Sequence, residues 1–354
     1  MLIRQVNRLI FKSNLVRNLR YYSADDDQSK YLYPLLNRSL LKVSGQDATK
    51  FLQGLITNDM NHFDDGAHSM YAMFLNSKGR VLYDTLIHKW GQEDKFMIEC
   101  DKSILELLQK HLLMYKLRRN VKIADMTPLF KIWALITPAD TEIEPGIDVA
   151  SNINVYKDPR LNELGYRVIT TTNVDQFDLQ DVLGKDTVFR SNDRAYKVLK
   201  YKLGVGEGAD DMFPGVCFPL EANCDYLHGV SFHKGCYIGQ ELTARIHHTG
   251  VVRKRFMPLK FTETSTTDKL VKDSSIWAAV DPGRTKVGKF KSGIDCYGLG
   301  LVRIKEALEA KALTVGLHSI EISKPSWWPL EFPKEKIKDK PEEIQAQSQN
   351  LNEM

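Results

Sequence analysis

At Phe256 the chain changes its rhythm. Upstream, stretches with helical spacing alternate with strand-like runs. Downstream come Met257 to Phe261, Ser275 to Val280, Val287 to Ser292, Gly298 to Arg303 and Ser319 to Ser323, all short and broken by Pro, Gly and Asp. Short strands at such spacing predict a small β-barrel or sandwich. The chain therefore divides into an α+β part over residues 30–255 and a small all-β domain over residues 256–330.

In the upstream part, Leu36 to Val43 alternates loosely before Ser44-Gly45-Gln46-Asp47, and apolar residues at 48, 51, 52 and 55 then follow helical spacing. Met70 to Leu75 and Val81 to Ile87 flank Asn76-Ser77-Lys78-Gly79, which predicts a hairpin because Asn and Gly tolerate turn conformations. Phe96 to Glu99 continues the sheet. A helix capped by Asp101 or Ser103 should run through Ile104, Leu108, Leu112 and Tyr115 and stop at Asn120. Lys131 to Ile136 and Tyr166 to Thr170 read as strands, Pro138 to Asp148 as a loop, and Val188 to Leu203 as carrying a further helix. About 300 residues exceed what one small core serves, so two or three subdomains are expected.

The ends carry a different message. No acidic residue precedes Asp25, while Arg4, Arg8, Lys12, Arg17 and Arg20 are spread among Leu2, Ile3, Val6, Leu9 and Ile10. That amphipathic, arginine-rich, acid-poor profile predicts a mitochondrial transit peptide over residues 1–24 and a mitochondrial matrix location. Residues 331–354 have the composition of a disordered tail. The formal charge of +4 is accounted for by the leader, so no basic surplus points to specific nucleic acid binding. No run reaches the roughly 20 apolar residues of a membrane span. Five cysteines, odd in number and irregular in spacing, argue against a disulfide framework and suit a reducing interior.

Lys234-Gly235-Cys236-Tyr237-Ile238-Gly239-Gln240-Glu241 packs a thiol, a cation, an amide and a carboxylate around two glycines. Gly235 and Gly239 are expected at positive φ, where a Cβ would clash. Lys234 stands two residues before Cys236, and a nearby ammonium raises a thiol's thiolate fraction, the form that attacks or binds metal. Gln240, Glu241, Leu242 and Ala244 then continue as helix. The alternative is a tight turn in which Cys236 is a small buried hydrophobe.

This octet, extended to His233–Arg245 and preceded by Phe213-Pro214 and Pro219-Leu220-Glu221-Ala222-Asn223, resembles the signature of the aminomethyltransferase-like folate-binding proteins that assist iron-sulfur cluster assembly. The mitochondrial branch is the better match. The resemblance implies a discontinuous α+β folate-binding module followed by a small C-terminal β-barrel domain. It also implies tetrahydrofolate in a central cavity, A-type scaffold proteins as partners in making four-iron clusters, and Cys236 as reactive thiol or transient cluster ligand. Since clusters usually take four cysteine ligands, one thiol would have to share its cluster with a partner.

Candidate folate contacts follow the same resemblance: Asn58 in Thr57-Asn58-Asp59, Asp84, Glu221, Asn223, Tyr237, Gln240, Glu241 and Arg245. Asn76 to Asp84 departs from the glycine-cleavage motif of paired glycines and consecutive aspartates, with Arg80 for a glycine and Tyr83 for the first aspartate. Methylene transfer needs a carboxylate on the reacting folate nitrogen, so the loss of one aspartate weakens that activity. Asp84 is equally readable as a strand-end carboxylate, and Arg245 as an i,i+4 partner of Glu241. Two other readings stay open: a folate-dependent aminomethyltransferase, and a non-catalytic adaptor with a vestigial cavity. Arg253-Lys254-Arg255 and His247-His248 read as solvated loop, and Trp327-Trp328 as a packing plug.

Overall fold

The computed structural model describes residues 29–329 apart from 92–93, 139, 145, 149–151, 263–266 and 268–269. The expected transit peptide and tail lie outside the described residues. Strands β1 (Lys30–Pro34) and β2 (Arg38–Ser44) enter different sheets. Helix α1 (Ala48–Gln53), the hairpin β3 (Ser69–Leu75) and β4 (Val81–Lys89), β5 (Lys95–Asp101), α2 (Leu105–Lys116) and β6 (Lys122–Asp125) follow. The antiparallel order β3-β4-β5-β2-β6 makes a first sheet.

The second sheet takes β7 (Phe130–Ile136), β8 (Gly146–Asp148), β9 (Ile153–Lys157), β10 (Tyr166–Thr171) and, after α3 (Gln176–Leu183), β11 (Thr187–Phe189). Its order is β11-β1-β7-β10-β9-β8, with β1 and β11 parallel. Helix α4 (Arg194–Leu203) ends on Gly204 in the left-handed region, and a long irregular segment leads to α5 (Gln240–Thr249). The rest is the expected barrel: β12 (Lys254–Phe261), β13 (Ser275–Ala279), β14 (Arg284–Ile294), β15 (Tyr297–Arg303), α6 (Ile304–Leu308), β16 (Leu313–Val315) and β17 (His318–Ile322). It closes in the order β12-β15-β14-β13-β16-β17.

The hairpin forms where the sequence places it. Asn76 Oδ1 accepts the Lys78 and Arg80 amides at 3.0 Å each, and Gly79 takes φ +74°, so side chain and glycine together close the turn. Asp101 caps the next helical segment through the Ser103 amide, as expected. Helix α2 stops at Leu117, earlier than expected, because Asn120 is needed elsewhere: its amide donates to Asp47 and its carbonyl accepts from Asp47, tying it to the turn before α1. Strands β8 and β9 replace the end of the expected loop and the residues after it.

One apolar cluster contains Tyr31, Leu40, Tyr71, Met97, Ile169, Tyr196, Phe256 and Leu299, and so draws on both sheets, α4 and the barrel. The three units share a core where they meet. Arg255 belongs to this junction and not to a solvated loop: it forks onto Asp225 at 2.7 Å through both nitrogens, donates to Leu220 O and lies over Tyr226. Trp328 packs into the barrel, and Trp327 donates to Leu203 O at 2.8 Å.

Candidate functional site

The octet lies against the turn of the β3–β4 hairpin and the turn that follows α1, and two contacts fix it there. Gly239, at φ +78°, caps α5; a Cβ on it would lie 2.3 Å from Asn76 O and 2.9 Å from the Leu75 side chain. Only a glycine lets the hairpin turn and the octet touch backbone to backbone. Gly235 differs from expectation: it lies outside the left-handed region, with open space where a Cβ would stand.

The second contact is Lys234. Its ammonium donates to Gln53 O at 2.8 Å, Ile56 O at 2.9 Å and Asn58 O at 2.5 Å, and it stands 5.1 Å from the centre of the Tyr237 ring. Three donors meet three carbonyls left over where α1 ends, so the lysine clasps the octet to the α1 turn. Burial pulls its pKa down to about 8, against the opposing charge of Asp59. Ile238 N donates to Gly54 O, and Gln240 Oε1 accepts from Tyr237 N, which completes the turn before α5.

Held by these contacts, Cys236 is exposed. Cys100, Cys217 and Cys224 are buried, and burial pushes the first two thiols up to about 12 and the third well above its usual value. Those three are packing residues that stay protonated. Among the described residues Cys236 is the exposed thiol, and Cys296 is half-buried beside Tyr297. In the same stretch of chain His233 is exposed, the half-buried Phe232 stacks on His247 at 3.5 Å, and Glu241 and Arg245 are exposed on α5. Phe213 and Val216, both exposed, are carried past the turn end of the hairpin, where Gly215 N donates to Val81 O.

The remaining candidates are spent on the chain itself. Asn58 is buried, and its amide donates to Tyr71 O at 2.7 Å and His228 O at 2.8 Å. Asn223, fully buried at φ +59°, donates to Phe256 O. Glu221 accepts from Phe218 N. Asp84 is 5% exposed; both its oxygens accept from Gly208 N at 3.1 Å, and Arg38 lies 4.0 Å away.

A cavity of about 580 Å³ opens where the three units meet, lined by Gly66 to Ser69, Lys157 to Glu163, His228 and Trp327. None of the eight expected folate contacts lines it. Its inner wall is the buried pair Asp158–Arg160, bonded at 3.0 and 2.7 Å. Behind that wall runs an ion network unmarked by any sequence motif. Arg38 and Arg167 share Glu99 at 2.8 and 3.2 Å, and Glu207 takes Arg167 at 2.6 Å, Arg160 at 2.7 Å and Lys200 at 3.3 Å. Burial raises a carboxylate's pKa, yet Arg167 and Arg38 outweigh it at Glu99, and Lys200, Arg167 and Arg160 do so at Glu207; both stay far below the usual range. Four of the eight expected folate contacts, Asn58, Asp84, Glu221 and Asn223, are thus engaged within the chain.

Comparison with known proteins gives a consistent picture. Residues 37–143 match the family described as GCVT N-terminal domain, and residues 253–330 match CAF17, C-terminal beta-barrel domain. The mouse protein named "Iron-sulfur cluster assembly factor IBA57, mitochondrial" is 37% identical over 314 residues, covering 84% of this chain and 85% of its own length. Its human counterpart is 35% identical over 314 residues with the same coverage. The homologue from Dictyostelium discoideum is 35% identical, covering 72% of this chain and 67% of its own. Among solved structures, the glycine cleavage system aminomethyltransferase T from Bartonella henselae superposes with a TM-score of 0.66 at 14% identity, over 85% of this chain and 86% of that one. That last likeness is one of fold.

Proposed function

The chain belongs to the IBA57 family of mitochondrial iron-sulfur cluster assembly factors, and on that premise we propose that its octet face is where a four-iron cluster is built jointly with an A-type scaffold protein in the matrix. The observation that carries this reading is the exposed Cys236, presented by a turn that is clasped on both sides. Here the cluster is cargo. Cys236 gives its proton to solvent and its thiolate forms one iron-sulfur bond, while the partner supplies the other ligands. The rigid turn lowers the entropy lost when the thiol is fixed in the joint complex. Exposed Phe213 and Val216 supply apolar contact area, and exposed Arg245 supplies positive charge suited to an acidic partner.

No step is routed through folate, since four of the residues expected to hold it, Asn58, Asp84, Glu221 and Asn223, are bonded to the chain. The test is complementation: cells lacking the protein are given the native chain or Cys236→Ser, and four-iron enzymes are assayed beside two-iron enzymes. Loss of the four-iron activities alone supports the reading. Full restoration by Cys236→Ser would refute it.

A further inference from the structure

We infer that Asp84 acts as an internal strut in this chain, and that Arg160 separates it from anything bound in the junction cavity. Three observations place the partition. Arg160 lines the cavity, yet its side chain is 1% exposed, held by Asp158 on one side and Glu207 on the other. Its guanidinium stands 5.6 Å from the centre of the Tyr71 ring, over the face of that ring. Behind it are Tyr71, Arg38 and Asp84, none more than 5% exposed and none lining the cavity.

The chemistry behind the partition is self-contained. Asp84 takes the Gly208 amide on both oxygens and faces Arg38, so it anchors the segment after α4 to the first sheet. Asp101 does the same one residue on, accepting from Ala209 N at 3.1 Å. The Tyr71 hydroxyl and Arg38 Nη1 make no hydrogen bond to the chain, so this inner space is polar and suited to a small polar guest such as water. A planar heterocycle entering from the cavity meets the Asp158–Arg160 pair first, and reaching Asp84 would mean breaking a doubly bonded buried arginine away from two carboxylates. This rests on the interior and is independent of the role of Cys236.

The test uses the full chain and tetrahydrofolate under argon, with thermal midpoint and Trp fluorescence as readouts. For a strut, Asp84→Ala, which removes the acceptor of the Gly208 amide, lowers the midpoint without ligand, and the tetrahydrofolate response stays the same as in the native chain within about twofold, whether that response is saturable or nil. For a ligand contact, Asp84→Ala keeps the midpoint and weakens binding by roughly tenfold or more, the loss expected for a charged hydrogen bond; that result overturns the inference. Should Asp84→Ala fail to fold, the Gly208 amide resonance of the native chain decides. An unmoved resonance at saturating tetrahydrofolate supports the strut, and a displaced one overturns it.

Discussion

A single methyl group at Gly239 would collide with the Asn76 carbonyl and force an L-residue into the left-handed region. Gly239→Ala is therefore expected to cost about 1–3 kcal/mol, the usual cost of a strained backbone position, read by urea unfolding. Gly235→Ala should cost less than 1 kcal/mol by the ordinary surface rule, because Gly235 has neither the conformation nor the crowding. Lys234→Met keeps the stem and removes three donors from the α1 turn. It should destabilise by about 1–3 kcal/mol and also speed alkylation of Cys236, measured by mass spectrometry, since a loosened turn exposes the thiol more fully. The importance of Lys234 and Gly239 was legible in the sequence, as part of one short motif. Lys234's actual partners were not, because the carbonyls of Gln53, Ile56 and Asn58 lie about 180 residues away along the chain and only the docking of α1 brings them there.

At the scale of elements, strong local signals translated directly. The β3–β4 hairpin, α1, the start of α2, α5 and five of the barrel strands were readable because turn chemistry and periodicity agreed there. Strand β9 was missed because four of its five residues are buried, which erases the alternation that marks a half-exposed strand. Strands β8, β11 and β16 are three residues long, too short for any period. Helix α3 did carry a usable signal: Asp175 accepts from the Phe177 and Asp178 amides, and the Asp178 carboxylate accepts from Asp175 N. Asp175→Ala should lower stability by about 1 kcal/mol, with the loss of helicity confined to α3 and read by hydrogen exchange of its amides.

Across the whole molecule, the buried ion network joins the first sheet through Arg38 and Glu99, the second through Arg167 and Asp158, and the segment after α4 through Glu207. Its members are spread from residue 38 to residue 207, each an unremarkable charge in its own stretch, so only the assembled register reveals it. Glu99→Gln leaves two arginines short of a partner and is expected to cost about 3–5 kcal/mol, read from chemical unfolding. The pH dependence follows from the sign of the shifts. Glu99 and Glu207 have folded pKa values below the ordinary 4.5, so their stabilisation is complete above that pH and is lost as pH falls below it. Asp84, raised by burial, contributes with the opposite sign. Thermal midpoints should therefore decline below about pH 4.5, and decline less steeply in Glu99→Gln. The network ties the two sheets and the segment after α4 into one platform, and the function proposed for that platform rests on a single thiol at its edge. The most direct measurement is anaerobic reconstitution of a cluster with an A-type partner, using the native chain and Cys236→Ala, with cluster content per complex read by absorbance and iron analysis. The account predicts a cluster-bearing complex with the native chain and background content with Cys236→Ala; equal content in both would contradict it.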